Sequence, residues 1–129
     1  MGTVRELRVA LTVQDFESAL AFYRDALGLE QVAEWDRFGG RGVLLGAGRA
    51  TLELVDEQQA RTIDEIEVGR RVAGQVRLAL EVDESASRAE VLAAAGAEVL
   101  GGPTETPWGD RNVRLRAPDG VQLTLFTSA

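Results

Sequence analysis

The sequence predicts an α+β fold: two βαβββ modules that form curved mixed sheets around a cavity. The first observation behind this is an internal repeat. Leu7–Val13 lies over Val76–Val82 at an offset of 69 residues, with Arg, Ala, Leu and Val matching in place. Val43–Ala47 lies over Val113–Ala117 at an offset of 70, and Leu52–Leu54 over Leu123–Leu125 at 71, so the halves begin and end alike. A repeat of this size marks a duplicated supersecondary unit that stacks on its twin. The second observation is the switch of hydrophobic period between strand and helix that recurs in each half. Together they give a single domain, 1–129, with module one at about 4–56, a connector at about 57–74 and module two at about 75–127.

Residues 5 to 13 alternate branched apolar with other side chains, as a strand with one face on a core does. Asp15 can cap the helix that follows, because a short carboxylate accepts from the free N–H groups of a first turn. Phe16, Leu20, Tyr23 and Leu27 then recur at helical spacing, placing Tyr23 in the core, and Gly28 supplies the left-handed terminating residue. Strands near 30–35, 41–46 and 50–55 complete module one. Asp56 to Gln75 is polar, with Ile63 and Ile66 on one face of a short helical turn. In module two a helix capped by Asp83 or Ser85 runs through Ala95 to Gly96, and Pro118-Asp119-Gly120 turns the last hairpin. Alternation sends Val9, Leu11, Leu52, Leu54, Leu78, Leu80, Leu123 and Leu125 under the helices. It turns Arg8, Thr12, Glu53, Arg77, Glu81 and Thr124 into the concavity, where function is expected.

Composition removes several chemistries. The chain has no His and no Cys, which excludes disulfides, thiolate or imidazole catalysis and Cys/His zinc sites. Its 14 basic residues, all Arg, against 21 acidic ones give a net charge of −7, which argues against nucleic acid as a partner. No apolar run is long enough to span a bilayer and the N-terminus lacks a signal peptide's apolar stretch, so no membrane partner and a cytoplasmic location are expected. Gly39-Gly40-Arg41-Gly42 lacks the Lys-Ser/Thr of a phosphate loop and reads as a hairpin turn.

The duplicated module, Val9–Asp15 leading into Ala19–Tyr23, Leu27-Gly28-Leu29, and Ala117–Gly120 before the last strand resemble the vicinal oxygen chelate superfamily. That family includes glyoxalase I, extradiol dioxygenases and bleomycin-resistance proteins. The resemblance implies, for its metal enzymes, one ligand on the first strand of each module and one carboxylate on each last strand. The matching positions hold Arg8, Arg77, Glu53 and Thr124. Arg has no lone pair to donate, so the expectation is no metal and no cofactor.

For Arg8, Glu53 and Arg77 three readings stand: a structural ion cluster, Arg heads reaching solvent, or an Arg left over to bind a ligand carboxylate or phosphate. The cluster reading expects Glu53→Gln to lower stability by about 1–3 kcal/mol. Trp35, Phe38 and Trp108 fall near module rims, where three readings stand: walls of a ligand cavity, as the resemblance implies for the Pro107-Trp108-Gly109 loop, a dimer contact, or local packing; in the first, Arg8, Glu53, Arg77, Gln122 and Thr124 are the polar floor. The function expected is metal-independent binding of a small molecule, cationic or aromatic, by sequestration, as the resemblance to bleomycin-resistance proteins implies, in a homodimer. The alternative is a glyoxalase- or dioxygenase-type lyase or isomerase with Glu53 as base.

Overall fold

Branched apolar residues at alternate positions make β1 (Val4–Val13) the strand on which the two halves meet. The computed structural model describes residues 2–36 and 38–128; Arg37, half of the polar pair between Trp35 and Phe38, lies outside them. After β1 come α1 (Phe16–Leu20), β2 (Glu30–Trp35), β3 (Gly42–Ala47), β4 (Ala50–Asp56) and α2 (Glu57–Glu67). Then follow β5 (Val76–Val82), α3 (Ser85–Ala94), β6 (Glu98–Glu105), β7 (Arg111–Arg116) and β8 (Gln122–Thr127). The eight strands form one open, curved sheet in the order β2-β3-β4-β1-β5-β8-β7-β6. β1 and β5 run antiparallel, and each is flanked in parallel by the last strand of its own half. Val9 pairs with Leu78, which the repeat offset makes its equivalent, so the pseudo-twofold axis passes through this pair.

One face of the sheet packs α1 and α3. Phe16, Leu20, Val43, Leu45 and Leu54 form one apolar cluster there, and Val82, Ala89, Val113, Leu115 and Leu125 form its counterpart. Asp15 caps α1 by accepting from the Ser18 N–H at 3.0 Å. Past Leu20 the helix widens into a π-helical segment, Ala21–Ala26, and the Leu27 N–H donates to the Phe22 carbonyl five residues back at 2.8 Å. A π turn takes in more residues than an α turn, so the apolar stripe loses its phase. Tyr23 still packs on the cluster, but Leu27, expected beside it, is 61% exposed and Leu29 packs in its stead. Capping of α3 also departs from expectation. Asp83 pairs with Arg5, while the Ser85 N–H donates to Thr127 Oγ1 (2.9 Å) and Ser85 Oγ to the Arg111 carbonyl (2.8 Å). A hydroxyl from β8 therefore occupies the capping role. The Pro118-Asp119-Gly120 turn forms, with Gly120 N–H donating to Ala117 at 2.9 Å.

The largest departure is the connector. It holds an eleven-residue helix, α2, rather than a short turn, and α2 crosses the concave side against β1, β4, β6 and β7. Asp56 caps it through the Gln59 N–H at 2.7 Å. Two glycine contacts fix it along its axis. A Cβ on Gly40 (φ +96) would lie 2.3 Å from the Gln59 backbone nitrogen, and one on Gly101 would lie 1.9 Å from the Glu67 carbonyl oxygen. The Gly39–Gly42 stretch is thus a seat for α2. The Gln59 amide, turned so that its NH2 faces them, donates to the Gly39 and Gly40 carbonyls at 2.8 and 3.2 Å. Among the described residues no helix is long and apolar enough to cross a membrane.

Candidate functional site: a cavity with an aromatic wall and uncompensated charges

Between α2 and the concave face of the sheet lies a cavity of about 270 Å³. Strand alternation delivers Arg8, Glu53, Arg77, Ala79, Thr124 and Phe126 to its floor, and α2 contributes Gln59, Ile63 and Glu67. Trp35, Phe38 and Trp108 form its wall. The Phe38 and Trp108 rings meet at 5.7 Å between centroids. Phe38 holds φ at +68°, a region that bulky residues rarely occupy, so local strain is stored at the cavity lip. Trp35 covers Gly42, its cross-strand partner; a Cβ at Gly42 would lie 2.2 Å from the indole ring.

Of the three readings for Arg8, Glu53 and Arg77, the structural ion cluster does not form. Glu6 stands two residues from Arg8 on the same strand face, and Arg8 donates to it through Nε (2.9 Å) and Nη2 (3.2 Å). The Arg8 guanidinium also lies 4.8 Å from the Phe126 ring centroid. Arg77 is 7% exposed and donates from Nη1 to Thr124 Oγ1 at 2.9 Å, with no carboxylate as partner. Glu53 is also 7% exposed, and among the described residues its carboxylate has no hydrogen bond or ion pair. Gln122, expected on the floor, is buried behind it, where its Oε1 accepts from Arg114 Nη1 at 3.2 Å.

A buried ion network does exist, centred on Arg114, Asp64 and Glu67, none of which the sequence reading assigned to the site. Arg114, 0% exposed, donates from Nη1 to Asp64 Oδ1 (2.8 Å) and from Nε to Glu67 Oε1 (3.0 Å) and Thr124 Oγ1 (3.2 Å). Its Nη2 lies 2.9 Å from Glu67 Oε1 without the alignment of a hydrogen bond. Asn112 donates to Glu67 Oε2 at 2.6 Å. Asp64 Oδ2 accepts from Arg71 Nη1 and from the Val72 and Ala73 N–H groups at 3.0, 2.6 and 2.8 Å. Burial pushes the Asp64 pKa up, but the Ala73 and Val72 N–H groups and the Arg114 charge outweigh it and hold the pKa below the ordinary carboxylate value. The signal that would have found the network was in the repeat: Arg114 stands where module one has Leu44. A charge at a core position requires a partner, and the one uncovered polar segment was the connector.

The cavity contains one further group of interest. Asp110, in the loop after Trp108, has its pKa raised above the ordinary value, chiefly by burial, against the lowering effect of the Arg8 charge. Counting lining side chains without an ion-pair partner, Glu34, Glu53 and Asp110 are acidic and Arg77 is basic. The residues at the four positions where the resemblance expects metal ligands do not fit a divalent cation: two guanidiniums, one carboxylate and one hydroxyl offer a single good donor. Among the described residues no three or more Asp or Glu side chains are grouped to hold a metal ion.

Comparison with curated proteins gives no match. Among solved structures, methylmalonyl-CoA epimerase from Mycobacterium tuberculosis superposes with a TM-score of 0.71 at 21% identity, over 100% of this chain and 91% of that one. A Streptomyces coelicolor methylmalonyl-CoA epimerase variant in complex with 2-nitronate-propionyl-CoA gives 0.69 at 23% identity, over 99% of each chain. A protein from Legionella pneumophila described as NAD-dependent benzaldehyde dehydrogenase gives 0.72 at 12% identity, over 95% of this chain and 99% of that one. Identities this low establish the shared fold and leave chemistry open. The sequence model of the Glyoxalase/Bleomycin resistance protein/Dioxygenase superfamily matches residues 7–125, a span that runs from β1 into β8 and takes in the axis between the halves. With the duplicated βαβββ unit, the β1–β5 junction and that match in agreement, the chain belongs to the glyoxalase/bleomycin resistance protein/dioxygenase superfamily.

Proposed function

We propose that this protein binds, without a metal, a small planar molecule bearing a positive charge, and acts by sequestering it. The observation that carries the reading is Glu53: a carboxylate more than nine-tenths buried, on the floor of an aromatic-walled cavity, with no partner among the described residues. A buried carboxylate left unpaired is costly, and an ammonium or amidinium group on a ligand offsets that cost. Trp35, Phe38 and Trp108 supply the apolar faces against which a ring packs, and their negative quadrupoles also favour a cation. The volume of about 270 Å³ favours a ligand the size of a fused-ring amine over a large antibiotic. The experiment compares tryptamine with neutral 3-methylindole by calorimetry. Tryptamine is expected to bind at least tenfold tighter, and Glu53→Gln is expected to erase the difference. Equal affinity of the two probes for the wild-type protein would overturn the reading.

A second reading is favoured by Asp110. A cavity carboxyl whose pKa is raised by burial is suited to proton transfer with a carbon acid, as in an isomerase. The fold shared with methylmalonyl-CoA epimerases directs the test to methylmalonyl-CoA itself. Incubated in deuterated water with the protein, it should incorporate deuterium only if this second reading holds.

A further inference from the structure

We infer that the ligand is dipolar, carrying an anionic group, carboxylate or phosphate, that Arg77 binds while Glu53 binds its cationic group. The inference rests on the binding reading above and adds to it the second charged residue on the cavity floor. Glu53 and Arg77 both stand in register with Ala10, one on each side of β1. Two strand spacings separate their Cα atoms, about 10 Å. Both residues are 7% exposed and both line the cavity. Neither has an oppositely charged partner, and no nitrogen of Arg77 comes within 4.0 Å of a Glu53 oxygen. Arg77 uses one nitrogen on Thr124, which leaves the rest of its guanidinium fork to bind two oxygens of a carboxylate or phosphate. The unpartnered polar atoms of both side chains keep some exposure, unlike Asn112 Oδ1 and Arg114 Nη2, which are sealed.

Electrostatics selects the ligand class. A ligand with only a positive charge meets Glu53 favourably but is repelled by Arg77 on the other side of β1; one with only a negative charge meets the reverse. A molecule that carries both charges a short distance apart satisfies both residues and leaves no buried charge uncompensated. These are two of the four positions where the family resemblance expects metal ligands. In this chain a fixed charge pair, held apart by the width of one strand, stands in that place.

Calorimetric titration with three matched probes tests the inference: L-tryptophan, which is dipolar; L-tryptophanamide, which lacks the carboxylate; and indole-3-propionate, which lacks the ammonium. L-Tryptophan is expected to bind about tenfold or more tighter than either, equivalent to about 1.4 kcal/mol. Arg77→Gln, which keeps a donor for Thr124, is expected to bring L-tryptophan down to the affinity of the amide while leaving the amide at least as well bound. Circular dichroism on the variant confirms that it is folded. If the wild-type protein binds the amide as tightly as L-tryptophan, or if Arg77→Gln keeps the preference, the dipolar inference is overturned and the cation reading of Glu53 stands. If none of the three binds, both are overturned.

Discussion

Arg114→Leu should be among the most damaging single substitutions in this protein, although Leu is what the equivalent position of module one, Leu44, already carries. The change removes a fully buried guanidinium and leaves Asp64 and Glu67, both 1% exposed at the side chain, facing one another's charge. The two carboxylates are not equally stranded. Asp64 retains Arg71 and the Val72 and Ala73 N–H groups, whereas Glu67 retains only Asn112 and the Thr124 hydroxyl. Removing one partner of a buried pair costs about 3–5 kcal/mol, most of it the uncompensated charge. For 129 residues, at about 2.1 cal/mol/K each, the unfolding entropy is about 0.27 kcal/mol/K, so the melting temperature should fall by about 10–20 °C. Thermal unfolding followed by circular dichroism measures it. Adding Glu67→Gln to Arg114→Leu should restore more of the loss than adding Asp64→Asn. A melting temperature within about 3 °C of wild type, or equal rescue by the two amides, would refute this account of the network.

The Asp64 pKa is held below its unfolded value of 3.8, so its contribution is fully present above that pH and is lost as the pH falls below 3.8 through the folded value; Asp64→Asn should flatten this acid limb in denaturant titrations across the range. Asp110 has the opposite sign: its folded pKa is raised, so ionising it costs stability as the pH rises through that value. Asp110→Asn should therefore melt higher than wild type at neutral pH, with no difference below 3.8. Gly42→Ala places a methyl 2.2 Å from the Trp35 ring and should cost about 1–3 kcal/mol by overpacking while displacing one wall of the cavity; denaturation together with the tryptamine titration reads both effects. Trp108→Ala removes the partner of Phe38 and should weaken tryptamine binding by about tenfold with a smaller effect on melting.

Much of the scaffold was legible because it repeats. Offsets of 69 to 71 aligned the strands of the two modules, and strand parity placed Arg8, Glu53, Arg77 and Thr124 on the concave side. Rim position alone left Trp35, Phe38 and Trp108 open to cavity wall, dimer contact or local packing; in the structure they line the cavity, and Trp35 and Trp108 also pack on Val55, Ala60 and Ile63. What was not legible depended on partners that pairwise spacing does not reveal. Arg8 was read against its repeat equivalent, Arg77, but its nearest charge was Glu6 on its own strand, as period-two geometry dictates. Leu27 was placed by a 3.6-residue period that the π-helical segment does not keep. The connector was the real gap. It has no counterpart in the repeat, so nothing in module two indicated that Gln59, Asp64 and Glu67 form one inward face of a helix, with Arg114 waiting beneath.

The glycine contacts at the two ends of α2 make that helix a gauge. Its first turn bears on Gly40, which belongs to module one, and its last residue bears on Gly101, which belongs to module two. Eight residues separate the contacts, about 12 Å at 1.5 Å per residue. Backbone meets backbone at both stops, so side-chain adjustment has no slack with which to alter the spacing. The sheet can curl no tighter than this rod permits, and the span of the hollow beneath it is set by how many residues the rod contains. In this protein the dimension of the hollow along the helix is therefore tied to the length of the segment that the repeat lacks.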